Sequence, residues 1–308
     1  MSANYLAAAD LLGNWRDDVL SGTPPVLYPV GTGDLEHIEI GPGRVLLLGG
    51  APGAGKSAFV MQAVVDALRM TSTLRALVCN VEMTPPVLMD RQLARLSGID
   101  LNTIRHRKLG VEHGERIDEA FQTLESLAER LCFVRPPFDL ANVAASADTF
   151  GAGLILLDYI QRILPPGNHQ GDKRGSVDAT MDYLRQFAHA GVAVIVVAAV
   201  SRSKDSKGRS TYAGDALNLA SFRESSELEF GADDAFMLVH DSDDEAGVVL
   251  RHLKARHTEA KDIALTFDRP RQRFTPRAVT QAPGKLQTAL VDLWNRTVAA
   301  ADTEGGDE

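Results

Sequence analysis

The sequence predicts an α/β fold: a mainly parallel, twisted sheet with helices on both faces and an antiparallel extension. Apolar runs of strand length recur at Arg44 to Leu48, Arg75 to Asn80, Leu131 to Val134, Leu154 to Leu157, Val192 to Ala199 and Ala235 to Val239, with helix-like stretches between the first five. Strands that are apolar throughout have both faces covered, the pattern of a parallel sheet between helical layers. The runs Val248 to Leu253 and Ile263 to Phe267 follow one another more closely, which fits antiparallel pairing. No internal repeat is evident.

Composition sets the outer limits. The chain has 308 residues, 44% hydrophobic and 24% charged, enough to bury a full core. No Ser/Gly-rich or Pro-rich linker divides it, so one main domain is expected over 31–276, with an N-terminal arm over 1–30 and a tail over 277–308. Cys79 and Cys132 lie in strand-like segments without metal-ligand spacing, which fits buried thiols in a reducing compartment. The N-terminus lacks a secretory pattern and no apolar run approaches the roughly 20 residues of a bilayer span, so a soluble, cytoplasmic protein without a membrane role is expected. A net charge of −9 argues against a generally basic nucleic-acid-coating surface, though not against a local basic groove. The histidines show no H-E-x-x-H spacing, and G-x-S-x-G is absent, which leaves metalloprotease and acyl-transfer chemistry without a foothold.

Along the chain, Leu6 to Leu20 reads as an isolated amphipathic helix. After the first apolar run comes "GGAPGAGKSAF", which contains the full P-loop pattern between a strand and a helix-like stretch, Val60 to Met70. Its glycines let backbone N–H groups curl inward, and the helix start presents its positive end, so Gly50, Gly53, Gly55, Lys56, Ser57 and Ala58 form a phosphate cradle. Lys56 would neutralise the β- and γ-phosphates, and the Ser57 hydroxyl would hold Mg2+. Nucleotide hydrolysis also needs carboxylates for the metal and the attacking water. Asp158, ending "GLILLDY", has the form of a Walker B residue, although a strand-end aspartate also caps helices. Glu82, after the Arg75 to Asn80 run, is the second candidate, at the end of a strand expected next to the P-loop strand, where a solvated loop acid is the plain alternative.

Two polar stretches follow strand ends, Pro165 to Ser176 and Ser201 to Asp215, and carry Lys173, Arg174, Arg202, Lys204, Lys207 and Arg209. Such loops contact nucleic-acid phosphates without reading bases, or are simply solvated. Further on, "LKARH" is either an exposed strand end or a source of cations for a phosphate site. A last helical stretch places Leu286, Leu290, Leu293 and Trp294 on one face and precedes an acidic tail.

The segments "NVEMTPPVLMDRQLARLSGID", "LILLDYIQRI", "SFRESSELEFGADDAFML" and "LKARH" resemble, in order and spacing, the C-terminal motor domain of DnaB-type replicative helicases, which are RecA-like P-loop NTPases. The resemblance runs from about Leu6 to Phe274. It implies that Glu82 activates water, that Asp158 is the Walker B aspartate, that Arg223 and Glu224 belong to the "RES" segment, and that Lys254 and Arg256 reach the neighbouring subunit's nucleotide. It further implies ATP with Mg2+ as cofactors, single-stranded DNA as the track, a homo-oligomer, most simply a hexameric ring, with the Leu6 to Leu20 helix docking on the next subunit, and a loader or primase as partner. Two departures stand out. Ala199 occupies the place of the family's γ-phosphate-sensing glutamine and cannot hydrogen-bond phosphate through its side chain. The family's N-terminal helical domain has no counterpart, and the C-terminal helix has no family role. The expected function is an ATP-dependent DNA helicase or translocase; the alternative is a nucleotide-gated assembly or regulatory ATPase that binds DNA or protein without unwinding.

Overall fold

The computed structural model describes residues 5–166, 173–201, 203–204, 210–211, 217–222, 227–241 and 244–277. Its strands are β1 (Val45–Gly50), β2 (Ala76–Asn80), β3 (Leu131–Phe133), β4 (Leu154–Asp158), β5 (Ala193–Val197), β6 (Ser203–Lys204), β7 (Ser210–Thr211), β8 (Asp234–His240), β9 (Gly247–Ala255), β10 (Ile263–Asp268) and β11 (Arg273–Pro276). Its α-helices are α1 (Ala8–Ser21), α2 (Lys56–Met70), α3 (Pro85–Ser97), α4 (Leu101–Arg105), α5 (Gly114–Leu127), α6 (Leu140–Phe150), α7 (Lys173–His189) and α8 (Glu227–Gly231).

Nine strands form one sheet in the order β11-β10-β9-β8-β1-β5-β4-β2-β3, parallel from β8 to β3 and antiparallel from β8 to β11. The mainly parallel sheet and its antiparallel extension are therefore as the apolar runs predict. Alternate residues of each parallel strand feed two cores. Leu46, Leu48, Val78, Leu156 and Ile195 pack under α2, whereas Val45, Leu47, Leu77, Ile155 and Val196 pack against α6 and α7. This two-sided burial is why the strands read as continuous apolar runs.

One expectation is corrected. Strand β2 does not lie next to β1, because β5 and β4 stand between them. The crossover helix explains the distance. Residues 58–68 of α2 are all buried, and the helix packs over β1, β5 and β4, so the chain leaves β1 and re-enters the sheet beyond both. Helices α3, α4 and α5 build a separate small core around Leu93, Ile104 and Leu124. A buried ion pair, with Arg95 Nη1 shared between both oxygens of Asp66 at 3.0 Å, pins α3 to α2.

The antiparallel strands fold back onto the P-loop. Gln62 of α2 donates to Phe274 O (2.8 Å) and accepts from Phe274 N (2.9 Å), while the Phe274 ring stacks on Phe267 at 4.1 Å. Helix α1 stands apart: none of its residues is buried, and Leu11, Leu12, Trp15, Val19 and Leu20 are exposed along it. No helix among the described residues is long and apolar enough to cross a membrane.

Candidate active site

All parallel strands end on one edge, and the segments that leave that edge build a cleft of about 520 Å³. Its walls include Gly53, Gly55, Lys56 and Ser57 from the turn between β1 and α2, Glu82 after β2, Asp158 and Tyr159 at the end of β4, and Ala199 after β5. Lys56, Ser57, Glu82 and Asp158, widely separated in the chain, thus share one pocket. Gly50 ends β1 just behind it. Ala58 lies in the core at 2% exposure, so only its backbone N–H is available to a ligand.

The turn demands glycine for geometric reasons. Gly55, the N-cap of α2, has φ +98°, and a Cβ there would stand 2.8 Å from the Phe274 ring and 2.9 Å from that of Phe267. Lys56 Nζ folds over the loop onto Gly50 O (2.7 Å) and Ala51 O (3.0 Å). Burial lowers the Lys56 pKa, while the charges of Asp158 and Glu82 oppose the shift. The ammonium therefore gains from any anion brought into the cradle.

Asp158 is 4% exposed and accepts on Oδ2 from Ser57 Oγ (2.5 Å) and Asn80 Nδ2 (2.8 Å). Burial raises its pKa; the Ser57 hydrogen bond counters this, Glu82 adds to it, and Lys56 and Asn80 oppose it. A hydroxyl and a desolvated carboxylate held side by side are a donor set suited to a hard divalent cation, which would relieve the burial of the charge. The residues present thus fit Mg2+.

Several residues of the site escaped the sequence reading. Asn80 both donates to Asp158 and accepts from the backbone N–H groups of Glu82 (3.0 Å) and Met83 (2.7 Å), so it ties the Glu82 loop to the end of β4. That contact exists because β2 pairs directly with β4, Asn80 opposite Asp158. Arg91 of α3 lines the cleft partly buried; burial lowers its pKa, with Asp158 opposing, and among the described residues it has no hydrogen-bond or ion-pair partner. Gln161 brackets the backbone of Ala199, accepting from its N–H (3.0 Å) and donating to its carbonyl (3.3 Å). At the far end of the cleft lie Phe267, Arg269 and Gln272, with Arg269 Nη1 on Gly53 O at 3.2 Å. Only the offset of Asn80 from Glu82 was available as a signal; the others are set by tertiary packing.

Of the remaining candidates, Lys254 and Arg256 do not line the cleft. They sit where β9 ends, beside the start of β8, at the sheet edge opposite the P-loop. Lys254 Nζ donates to Ala232 O (2.8 Å) and Phe230 O (3.3 Å); Arg256 Nη1 donates to Asp233 Oδ1 (2.7 Å) and Nη2 to Phe230 O (3.2 Å). Burial works to raise the Asp233 pKa, but the Val45 N–H, Arg185 and Arg256 outweigh it, and the carboxyl is held below its ordinary range. Lys173 and Arg174, expected on a loop, begin α7. Lys204 falls in a two-stranded hairpin, β6 with β7. The side chains of these three, together with Arg202, Lys207, Arg209, Arg223, Glu224 and the expected C-terminal helix, lie outside the described residues.

The DnaB-like helicase C terminal domain family matches residues 30–276. Among solved structures, one described as an ATPase domain is similar at 16% identity and a TM-score of 0.76, covering 89% of this chain and 100% of that one. "The Structure Of A DnaB-Like Replicative Helicase And Its Interactions With Primase" is similar at 16% identity and a TM-score of 0.73, covering 89% of this chain and 67% of that one. These two likenesses concern the fold.

Proposed function

The chain belongs to the DnaB-like helicase C-terminal domain family and is a helicase-type ATPase, and from that premise we propose that it moves along single-stranded DNA as a homo-oligomeric ring, with each nucleotide site completed by the next chain. One observation carries this reading: Lys56, Ser57, Glu82 and Asp158 converge at one sheet edge, while Arg256 lies at the opposite edge and cannot serve its own cleft.

In this reading the loop amides and the α2 N-terminus receive the phosphates of ATP. Lys56 leaves its carbonyls to meet the β- and γ-phosphates. Ser57 and Asp158 would hold Mg2+, which would supply neutralisation of phosphate charge. Glu82, steadied by Asn80, orients the attacking water. Arg91, without a partner among the described residues, adds a second cation to the same cleft. Lys254 and Arg256 of the neighbouring chain meet the charge that develops on the γ-phosphoryl group, so hydrolysis depends on assembly.

The exposed face of α1 supports assembly. A groove of about 410 Å³ between α3, α4 and α5, walled by Met89, Leu93, Ile104, Leu109, Phe121 and Leu124, offers an apolar landing surface for α1 of a second copy. The DNA contacts in this reading are Lys173, Arg174, Arg202, Lys204, Lys207 and Arg209. A second reading, an ATPase that switches or assembles without unwinding, is favoured by Ala199, whose side chain offers nothing to phosphate. Strand displacement on a forked DNA, with Lys56→Ala as the control, tests the two. The motor reading expects unwinding that needs ATP and Lys56; DNA-indifferent hydrolysis without displacement would leave the switching reading in its place.

A further inference from the structure

Asp233 is an unusual neighbour for an arginine that must work in another chain. Its side chain is 2% exposed and already occupied on Oδ2, where Val45 N–H donates at 2.8 Å and Arg185 Nη1 at 2.6 Å. Only Oδ1 faces Arg256, with His257 Nε2 at 3.8 Å as the other side-chain nitrogen near it. The main chains are joined as well, Arg256 N to Asp233 O at 3.0 Å. The turn beyond Arg256 is fixed by a second buried pair. Lys261 N–H donates to His252 Nδ1 (3.2 Å), which leaves Nε2 as the donor to Asp234 Oδ1 (3.0 Å), and Asp262 Oδ1 accepts from His252 N (2.8 Å). Asp233 therefore cannot turn away, and the guanidinium, whose side chain is 41% exposed, is gripped along one side by a rigid acceptor.

We propose that Asp233 is the positioning residue of Arg256: a buried, doubly anchored carboxylate that presents the guanidinium to the nucleotide of the neighbouring chain. The proposal rests on Arg256 acting in trans. Its physical logic is preorganisation. A free arginine must give up rotamer freedom each time it meets the γ-phosphate, whereas one held on a fixed carboxylate has already done so and keeps its outward N–H groups for the phosphate. Arg185 and the Val45 N–H hold Oδ2, so Asp233 has partners besides Arg256.

The test is subunit mixing. Asp233→Asn should lower kcat by about tenfold or more while the KM for ATP stays within about twofold, because only the group that reaches across is misplaced. Glu82→Gln chains keep a sound Arg256 but a dead cleft. Mixed one to one with Asp233→Asn chains, they should give several times the activity of the two preparations measured apart, as should Glu82→Gln mixed with Arg256→Ala, and Asp233→Asn should add nothing to Arg256→Ala. If Arg256→Ala complements and Asp233→Asn does not, or if Asp233→Asn turns over like wild type, the proposal is overturned and the trans arginine stands. If Arg256→Ala itself turns over like wild type, the reading beneath it fails too. Should Asp233→Asn melt early, the double change Asp233→Asn with Arg185→Met removes carboxylate and counter-cation together and carries the same comparison.

Discussion

Asp158 and Asp233 show how two carboxylates buried to similar depth acquire opposite roles. Asp233 is over-supplied with donors, and its lowered pKa means that its contribution to stability is present above the ordinary carboxylate value of 3.8 and is lost as pH falls through the still lower folded value. Asp158 is under-supplied, and its raised pKa means that ionised burial costs stability at neutral pH, a cost relieved as pH falls through the window above 3.8. Asp158→Asn keeps an acceptor for Ser57 and Asn80, so the unliganded variant should melt no lower than wild type at neutral pH. It should also lose the rise in Tm that Mg-ATP gives wild type, about 5–10 °C at a hundredfold excess over Kd; differential scanning calorimetry with and without nucleotide reads both. Gly55→Ala should cost about 2–4 kcal/mol, left-handed strain plus collision with Phe267 and Phe274, and should abolish nucleotide binding; urea unfolding and a titration with labelled ATP check it. Lys56, Ser57 and Asp158 were legible from sequence because chemistry fixes both their type and their setting. Asn80, Arg91 and Asp233 were not, since an asparagine on β2 acquires meaning only when β4 arrives beside it.

At the scale of elements, the apolar runs identified the parallel strands because burial on both faces leaves no polar position within them. β11 escaped notice because Phe274 is its one buried residue, and its place is set by Gln62 and by ring stacking rather than by its own pattern. The order of strands was also hidden: nothing in a sequence says that α2 spans β5 and β4 before β2 enters the sheet. Helix α1 was legible as an amphipathic helix, and its structure explains why it adds little to the fold. Replacing Leu12 with Glu and Trp15 with Ala together removes no buried contact within the chain, so Tm should change by less than about 2 °C. If α1 docks on a second copy, the same pair of changes removes about 3–4 kcal/mol of apolar burial and should raise the concentration for half-assembly at least tenfold. Analytical ultracentrifugation with ATP present distinguishes the outcomes.

Taken as a whole, the proposed reading puts the catalytic parts on two opposite edges of one sheet. The cleft edge holds Lys56, Ser57, Glu82 and Asp158, proposed to bind ATP and align water, and the far edge holds Lys254 on Ala232 O and Arg256 on Asp233. A single copy cannot bring these together, since the full length of β8 and β1 separates them. The most direct measurement is steady-state ATP hydrolysis per chain across a wide range of protein concentration, with Mg2+ and with or without single-stranded DNA, for wild type, Glu82→Gln and Arg256→Ala. A rate per chain that climbs steeply with concentration, rises further with DNA, and falls by about 10²-fold or more in both variants is the predicted result. A rate per chain that stays flat with concentration and survives Arg256→Ala would show that each copy hydrolyses ATP alone, and would contradict the account.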